Sequence, residues 1–315
     1  GFHSRENIVI DSNDDIYVSG YTSETNLFGC SNYTGSGLYV AKLNSSGSCL
    51  WVTTASASMA TDKTPGITID SIGNIFVTGG FKNTATFGNT TLTTLGSTTD
   101  VDIFVAKMNS TGNWIWAVSA GASYNAINGY VADFGKSIAI ASNGMIYVTG
   151  QAFKNSIFGN LTNEFTSDYP RIFVAQLTPD GSWNWVVSAG GYLNDIGLDI
   201  AIDSSDNPYV VGYFEDSASF GPYLFTTSST QQYQQRGFIA KLCTDSDGDT
   251  YNDCNDEMPL NPTQYQDSDG DGYGDDQSST ATQVDNFTDN PTQWKDSDGD
   301  GYGDNQTSGA TQIDD

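Results

Sequence analysis

Three short runs of carboxylates carry the sharpest chemistry in this sequence. Asp245-Ser-Asp247-Gly-Asp249-Thr-Tyr251-Asn-Asp253, Asp267-Ser-Asp269-Gly-Asp271-Gly-Tyr273-Gly-Asp275 and Asp296-Ser-Asp298-Gly-Asp300-Gly-Tyr302-Gly-Asp304 share one spacing. Side-chain oxygens at positions 1, 3 and 5 of a tight loop can converge on a hard cation. The backbone carbonyl at position 7, from Tyr251, Tyr273 or Tyr302, adds an oxygen, and the acid at position 9 closes the cage directly or through water. The interleaved glycines permit the turn. The expected chemistry is calcium (Ca2+) binding, three times over. Position 12, where a bidentate acid would complete the shell, holds Asp256 in the first run but Ser278 and Thr307 in the others. The sixth ligand of those two loops therefore falls to water or to a neighbouring repeat. An acidic, unfolded linker is the alternative reading of the segment.

The charge distribution favours the cation. The chain carries a formal net charge of −27, with 38 acids against 11 bases. Residues 243–315 hold 19 of the acids and one base, Lys295, so that stretch carries −18 and the remainder −9. Acidity that is this local and this regularly spaced suits cation binding better than general solubilisation. It excludes nucleic acid as a partner, since nothing here could neutralise a run of phosphates. The spacers repeat as well: Asn261-Pro-Thr-Gln264 returns as Asn290-Pro-Thr-Gln293, and Ala281-Thr-Gln283 as Ala310-Thr-Gln312, each 29 residues later.

The four cysteines fall into two sequence-local pairs, Cys30 with Cys49 and Cys243 with Cys254. No C-x-x-C or Cys/His cluster exists, which suits disulfides in an oxidising compartment rather than a metal site. Three pairings are open, and the local one is the expectation. The sequons at Asn32, Asn44, Asn89, Asn109, Asn160, Asn286 and Asn305 are compatible with export but arise readily in an Asn/Thr-rich chain. No apolar run reaches membrane-spanning length and no signal peptide is present.

The elements that carry these loops are announced by a repeat. The phrase Ile16-Tyr-Val-Ser-Gly20 recurs as Ile75-Phe-Val-Thr-Gly79, Ile146-Tyr-Val-Thr-Gly150 and Pro208-Tyr-Val-Val-Gly212, at offsets of 59, 71 and 62. Phe28-Gly29, Phe87-Gly88, Phe158-Gly159 and Phe220-Gly221 follow at the same offsets. Ahead of each phrase stands an alternating strand, Ile8-Val-Ile10, Ile67-Thr-Ile69, Ile138-Ala-Ile140 or Ile200-Ala-Ile202. Behind it comes Tyr39-Val-Ala-Lys42, Phe104-Val-Ala-Lys107, Phe173-Val-Ala-Gln176 or Phe238-Ile-Ala-Lys241. The first three units add a Trp-bearing strand at Trp51, Trp114-Ile-Trp116 and Trp183-Asn-Trp185. Each unit reads as about four short strands joined by turn residues, with the apolar positions of the first two strands, from Ile8, Ile10 and Val18 onward, expected in the core. The expected fold is all-β: a β-propeller-like array of four repeats, about 1–58, 59–124, 125–192 and 193–242, followed by a loop-rich tail, 243–315, with little regular secondary structure. The fourth unit lacks a Trp strand, so the propeller is expected to be incomplete, with further sequence before Gly1. A β-sandwich is the alternative, and it leaves so regular a repeat unexplained.

These units resemble the β-propeller repeat family of bacterial and archaeal surface proteins, in strand order and in the aromatic-Val-Thr-Gly and Phe-Val-Ala-Lys phrases. The resemblance covers residues 1–242 and implies a fold and an extracellular or cell-surface setting, but no reaction. The Asp-rich runs resemble thrombospondin type-3 repeats.

Catalytic chemistry finds little footing. The one histidine, His3, precedes the first strand, and no Gly-rich phosphate loop opens a helix. Scattered carboxylates, among them Asp133, Asp195, Asp199, Glu215 and Asp216, could include a glycosidase pair, but as surface acids they are expected to be solvated. Asp11, Asp70 and Asp203 end their first strands while Lys42, Lys107 and Lys241 end the third, and one unit replaces both with Ala141 and Gln176. Either a charge pair within each unit or a solvated lysine covering apolar surface accounts for this. The expectation is a non-enzymatic scaffold or adhesion protein with a calcium-stiffened stalk, its partners calcium and possible glycans or other surface and matrix proteins. A lectin-like propeller is the runner-up.

Overall fold

The computed structural model describes residues 7–22, 27–30, 37–59, 65–97, 99–122, 132–162, 167–221, 223–226, 234–243, 266, 268 and 273–275. The chain divides into two compact units, Gly1–Lys241 and Leu242–Asp315. The first is all-β, without a helix among the described residues. Its strands are β1 (Asn7–Ile10), β2 (Ile16–Thr22), β3 (Gly37–Leu43), β4 (Cys49–Met59), β5 (Gly66–Ile69), β6 (Ile75–Phe87), β7 (Thr90–Thr93), β8 (Val101–Met108), β9 (Trp114–Ala122) and β10 (Phe134–Ile140). They continue as β11 (Ile146–Ala152), β12 (Ser156–Phe158), β13 (Leu161–Thr162), β14 (Arg171–Leu177), β15 (Trp183–Ala189), β16 (Ile196–Ile202), β17 (Pro208–Glu215), β18 (Ser217–Phe220), β19 (Tyr223–Thr226) and β20 (Gln235–Lys241).

The pairings build antiparallel meanders in the order β1-β2-β3-β4, β5-β6-β8-β9, β10-β11-β14-β15 and β16-β17-β20. Hairpins built on the Phe-Gly turns tie neighbouring meanders together. Strand β6 continues past Asn83 (φ 57°) to form a hairpin with β7, and its far half pairs with β4. The β12–β13 hairpin pairs with β9 in the same way, and β18–β19 reaches back through a bridge between Gly190 and Ser219. The result is one large curled sheet of 11 strands, followed by sheets of four, three and two.

A steric fit explains the recurring glycine. Gly20, Gly79, Gly150 and Gly212 stand directly opposite Tyr39, Phe104, Phe173 and Phe238 on the third strand. A Cβ there would come within 2.7 to 3.0 Å of the facing ring in every case. The ring thus lies across the glycine, and its far side meets the phenylalanine of the Phe-Gly turn, with centroids 6.1, 5.1, 5.2 and 4.7 Å apart. A strand glycine, which normally weakens a sheet, here makes room for the aromatic packing that holds the hairpin down.

Most of the expected core is buried: Val18, Ile67, Val77, Ile138, Val148, Ile200 and Val210 are all enclosed, while Ile69, Ile140 and Ile202 are half-buried. Ile8 and Ile10 depart from the expectation, at 62 % and 59 % exposed against 8 % for Ile67 and 4 % for Ile138. The reason is position in the array. Strands β5, β10 and β16 each pack beside an earlier meander, β10 against β5 and β6 and β16 against β10 and β11. Among the described residues nothing precedes β1, so the face that carries Ile8 and Ile10 is left uncovered, while Val9 on the other face packs against the core.

The repeated Asp and Lys residues also behave differently from a simple ion pair. In the first meander Lys42 does lie 2.8 Å from Asp15 and 3.7 Å from Asp11. Among the described residues no ion pair joins Lys107 to Asp70 or Lys241 to Asp203. The aspartates instead close the turn after the first strand: Oδ1 accepts the N–H groups of Asn13 and Asp15, of Ile72 and Asn74, or of Ser205 and Asn207. The lysines lie over the second-strand aromatic, 4.9 Å from Tyr17, 5.0 Å from Phe76 and 5.8 Å from Tyr209. Where Ala141 and Gln176 stand, both tasks pass to other groups. Asp206 of the next meander accepts Ser142 N–H and hydroxyl at 2.8 and 2.6 Å, and Gln176 donates to Tyr147 Oη at 2.7 Å.

Candidate functional site

In the second compact unit the structure describes Leu242 and Cys243 and, at the middle acidic loop, Gln266, Ser268, Tyr273, Gly274 and Asp275. Asp275, at position 9, folds back on position 2: its carboxylate accepts the Ser268 hydroxyl and, at 3.3 Å, the Ser268 N–H. Its own N–H donates to Gln266 O at 2.8 Å. The start and end of the run are thereby drawn together into a closed loop, with Gly274 buried at the closure. The other expected ligands, Asp245, Asp247, Asp249, Tyr251, Asp253, Asp256, Asp267, Asp269, Asp271, Asp296, Asp298, Asp300, Tyr302 and Asp304, lie outside the described residues. As a donor set, carboxylates plus a backbone carbonyl fit a hard oxygen-seeking cation such as calcium. No group of three or more Asp, Glu, His or Cys side chains positioned to hold a metal occurs among the described residues.

The Cys30–Cys49 disulfide is formed, with Cα atoms 5.7 Å apart. Its place in the repeat is informative. Cys49 follows Tyr39 by ten residues, as Trp114 follows Phe104 and Trp183 follows Phe173. In those meanders the tryptophan stands edge-on to the Phe-Gly turn, with Phe87–Trp114 and Phe158–Trp183 centroids both 5.0 Å apart at 85° and 88°. In the first meander Phe28 has no such partner among the described residues and is 40 % exposed. The disulfide clamps the Phe28-Gly29 turn to β4 where the others use an aromatic pair. Cys243 is also disulfide-bonded; its expected mate, Cys254, lies outside the described residues.

A second set of groups lies at the junctions between meanders, and it corrects the expectation of solvated acids. Asp133, Asp195 and Glu215 are buried, whereas Asp199 and Asp216 are exposed. Asp133 accepts the N–H of Ala122, at the end of β9, at 2.8 Å and that of Phe153, after β11, at 2.7 Å. Asp195 does the same work one meander later, accepting Gly191 N–H at 2.5 Å and Glu215 N–H at 3.0 Å. Each carboxylate staples the outer strand of one meander to the second strand of the next.

Their electrostatic surroundings differ. Burial pushes Asp133 up to about 8, and the nearby Asp102 adds to the rise despite the N–H bonds. Burial also lifts Asp102, to about 7, helped by Asp100. One oxygen of Asp102, Oδ1, is buried without a hydrogen-bond partner among the described residues. Asp195 is lifted by burial only to about 6, because its two N–H bonds and the Arg171 guanidinium oppose the rise. Arg171 occupies the place on β14 that Asp102 holds on β8, each two residues before the ring that covers the glycine. Composition could not reveal these junction acids, since an aspartate in a loop looks the same whether solvated or buried. The available signal was positional: Asp133 and Asp195 precede the same strand in consecutive units.

No family model matches the chain, and no curated protein matches it. Among solved structures, the chain is similar to a crystal structure of a Bacteroides caccae protein described as of unknown function. The TM-score is 0.35 and the identity 10 %, over 75 % of this chain and 62 % of that one, so the chain spans less than two thirds of that neighbour's length.

Proposed function

We propose that this chain is a non-enzymatic scaffold or adhesion module of the cell exterior, in which a β-propeller-like array of four repeats is joined to a calcium-stiffened stalk, residues 243–315. The threefold Asp-x-Asp-x-Asp spacing carries this reading. It is supported by the closure of the middle loop through Asp275 and by the side-by-side first strands of consecutive meanders, which suit a propeller-like arrangement. The Cys30–Cys49 bridge suits an oxidising, extracellular setting.

Calcium would order the stalk because that segment has few large apolar side chains, so burial cannot offset the entropy of ordering it. Crowded carboxylates repel one another until a cation arrives, making metal binding and folding one event there. The deciding experiment combines small-angle scattering with amide exchange on the full chain, with calcium and with a chelator. Expansion and faster exchange confined to 243–315 on chelation is the expected result; unchanged tail dimensions would leave an acidic linker as the better account.

A lectin-like module is the second reading. The observation favouring it is an open depression lined by Asn160, Leu161, Asn184, Trp185 and Val186, which places an indole beside two amides. A glycan array probed with the propeller-like region separates the two, since a lectin binds a defined sugar and a scaffold does not.

A further inference from the structure

The fourth meander holds an open seat whose occupant is specified by the meanders before it. Strand β20 pairs with β17 on one side and with no strand on the other among the described residues. In the three earlier meanders the corresponding strands β3, β8 and β14 are each covered by a fourth strand, β4, β9 or β15. Two aromatic positions show what that strand supplies. Phe87 and Phe158 receive the edge of Trp114 and Trp183, and the turn glycines Gly88 and Gly159 lie against the same indoles, a Cβ there meeting them at 3.2 and 2.9 Å. Among the described residues the equivalent Phe220 meets Phe214, Phe225 and Phe238 but no indole, and a Cβ at Gly221 would meet nothing within 4 Å. Two residues further along each strand, Trp51, Trp116 or Trp185 stands edge-on to Tyr17, Phe76 or Tyr147, opposite Lys42, Lys107 or Gln176. Tyr209 and Lys241 hold those places in the fourth meander, without a tryptophan among the described residues.

We propose that the free edge of β20, with the Phe220-Gly221 and Tyr209 seats, is a strand-acceptor site for an extended segment, supplied from outside residues 1–243, that bears a Trp-x-Trp alternation. The incoming strand runs antiparallel to β20, continuing an interface this chain already makes three times. Main-chain hydrogen bonds give it affinity. The two indole seats lie on opposite faces of the meander, as Trp114 packs with Phe87 and Phe104 and Trp116 with Phe76 across a bulge at Lys107/Met108, and they set register and sequence preference because a one-residue slip would take each tryptophan away from its seat. The proposal rests on the pairings within the chain and not on the propeller or calcium reading.

The test uses the full chain and a labelled synthetic peptide with the sequence of Trp183–Ala189, alongside a control peptide in which both tryptophans are serine. Fluorescence anisotropy should show saturable one-to-one binding of the first peptide and at least tenfold weaker binding of the control. Hydrogen exchange should slow at Gln235–Lys241 on addition of the first peptide. Phe220→Ala and Tyr209→Ala should each weaken binding several-fold, with unchanged exchange in β10, β11 and β14 verifying that the variants are folded. Absence of binding at millimolar peptide, equal binding of the control, protection elsewhere than β20, or spontaneous dimerisation that itself protects β20 would each overturn the proposal. The last outcome would assign the edge to a second copy of this chain.

Discussion

Asp102 and Asp133 face each other's charge in a buried junction, and the pH response of the fold follows from them. Beyond Asp102, the groups that bind Asp133 are the N–H of Ala122, the N–H of Phe153 and the Ser156 hydroxyl; Asp102 faces Leu95 N–H and the charge of Asp100. Both carboxyls are raised, to about 7 and about 8, above the ordinary value of 3.8. The folded state therefore holds protons that the unfolded chain has released. Their contribution is full below about pH 4 and is lost as pH rises towards 8. Urea denaturation followed between pH 4 and 8 should show the β unit losing stability across that window. Asp102→Asn should stabilise it at pH 8 by about 1–3 kcal/mol, because it removes a buried charge with an unpartnered oxygen, and should change little at pH 4. An identical pH slope in the variant would assign the effect elsewhere.

The meander is held by the contact between a hairpin turn and an outer strand, made in two chemistries. Phe87 and Phe158 are sealed between a third-strand ring and a tryptophan, so Phe87→Ala or Phe158→Ala should cost about 3–5 kcal/mol. Phe28→Ala should cost clearly less, since that ring is 40 % exposed. The first meander relies instead on its disulfide, whose 19-residue separation suggests a loss of about 3 kcal/mol on removal. Denaturation of Cys30→Ser/Cys49→Ser, compared with the Phe variants, tests whether the bridge replaces the aromatic pair. Equivalent isoleucines offer a further contrast. Ile138→Ala should cost about 2–5 kcal/mol, whereas Ile8→Ser should stay within about 0.5 kcal/mol.

On the scale of the whole chain, charge and burial are segregated. The acidic segment 243–315 carries −18, while the enclosed aromatic and aliphatic core lies in Gly1–Lys241. Calcium removal should therefore act on one unit and denaturant on the other. Titration calorimetry of the full chain should find calcium sites of Kd about 10⁻⁴–10⁻³ M, the range of extracellular modules. Replacing Asp267, Asp269 and Asp271 together by Asn should remove one ion and leave the urea midpoint of the β unit unmoved. Full calcium stoichiometry in that variant would show that the middle loop is not a site.

The sequence by itself determined the main meander strands, their order and their spacing, but not the hairpins β6–β7, β12–β13 and β18–β19 that tie the meanders together. A glycine opposite an aromatic, a Phe-Gly turn and a Trp strand are local requirements, and a local requirement repeated in register is visible as a repeated phrase. The Asp-x-Asp-x-Asp runs are legible for the same reason, since nine consecutive residues define the loop. Only the tertiary structure decided what depends on neighbours distant in sequence. Ile8 reads like Ile67, yet among the described residues one has nothing before it and the other packs against the preceding meander. Asp133 and Asp195 read like surface acids, yet each is enclosed where two meanders meet and binds backbone from both. Lys42 pairs with Asp15 and Asp11, whereas Lys107 and Lys241, which read the same, lie over rings of the adjacent strand with no ion pair to Asp70 or Asp203 among the described residues. Burial is a property of what packs against a residue, and no pattern within a single repeat records whether a neighbour is there.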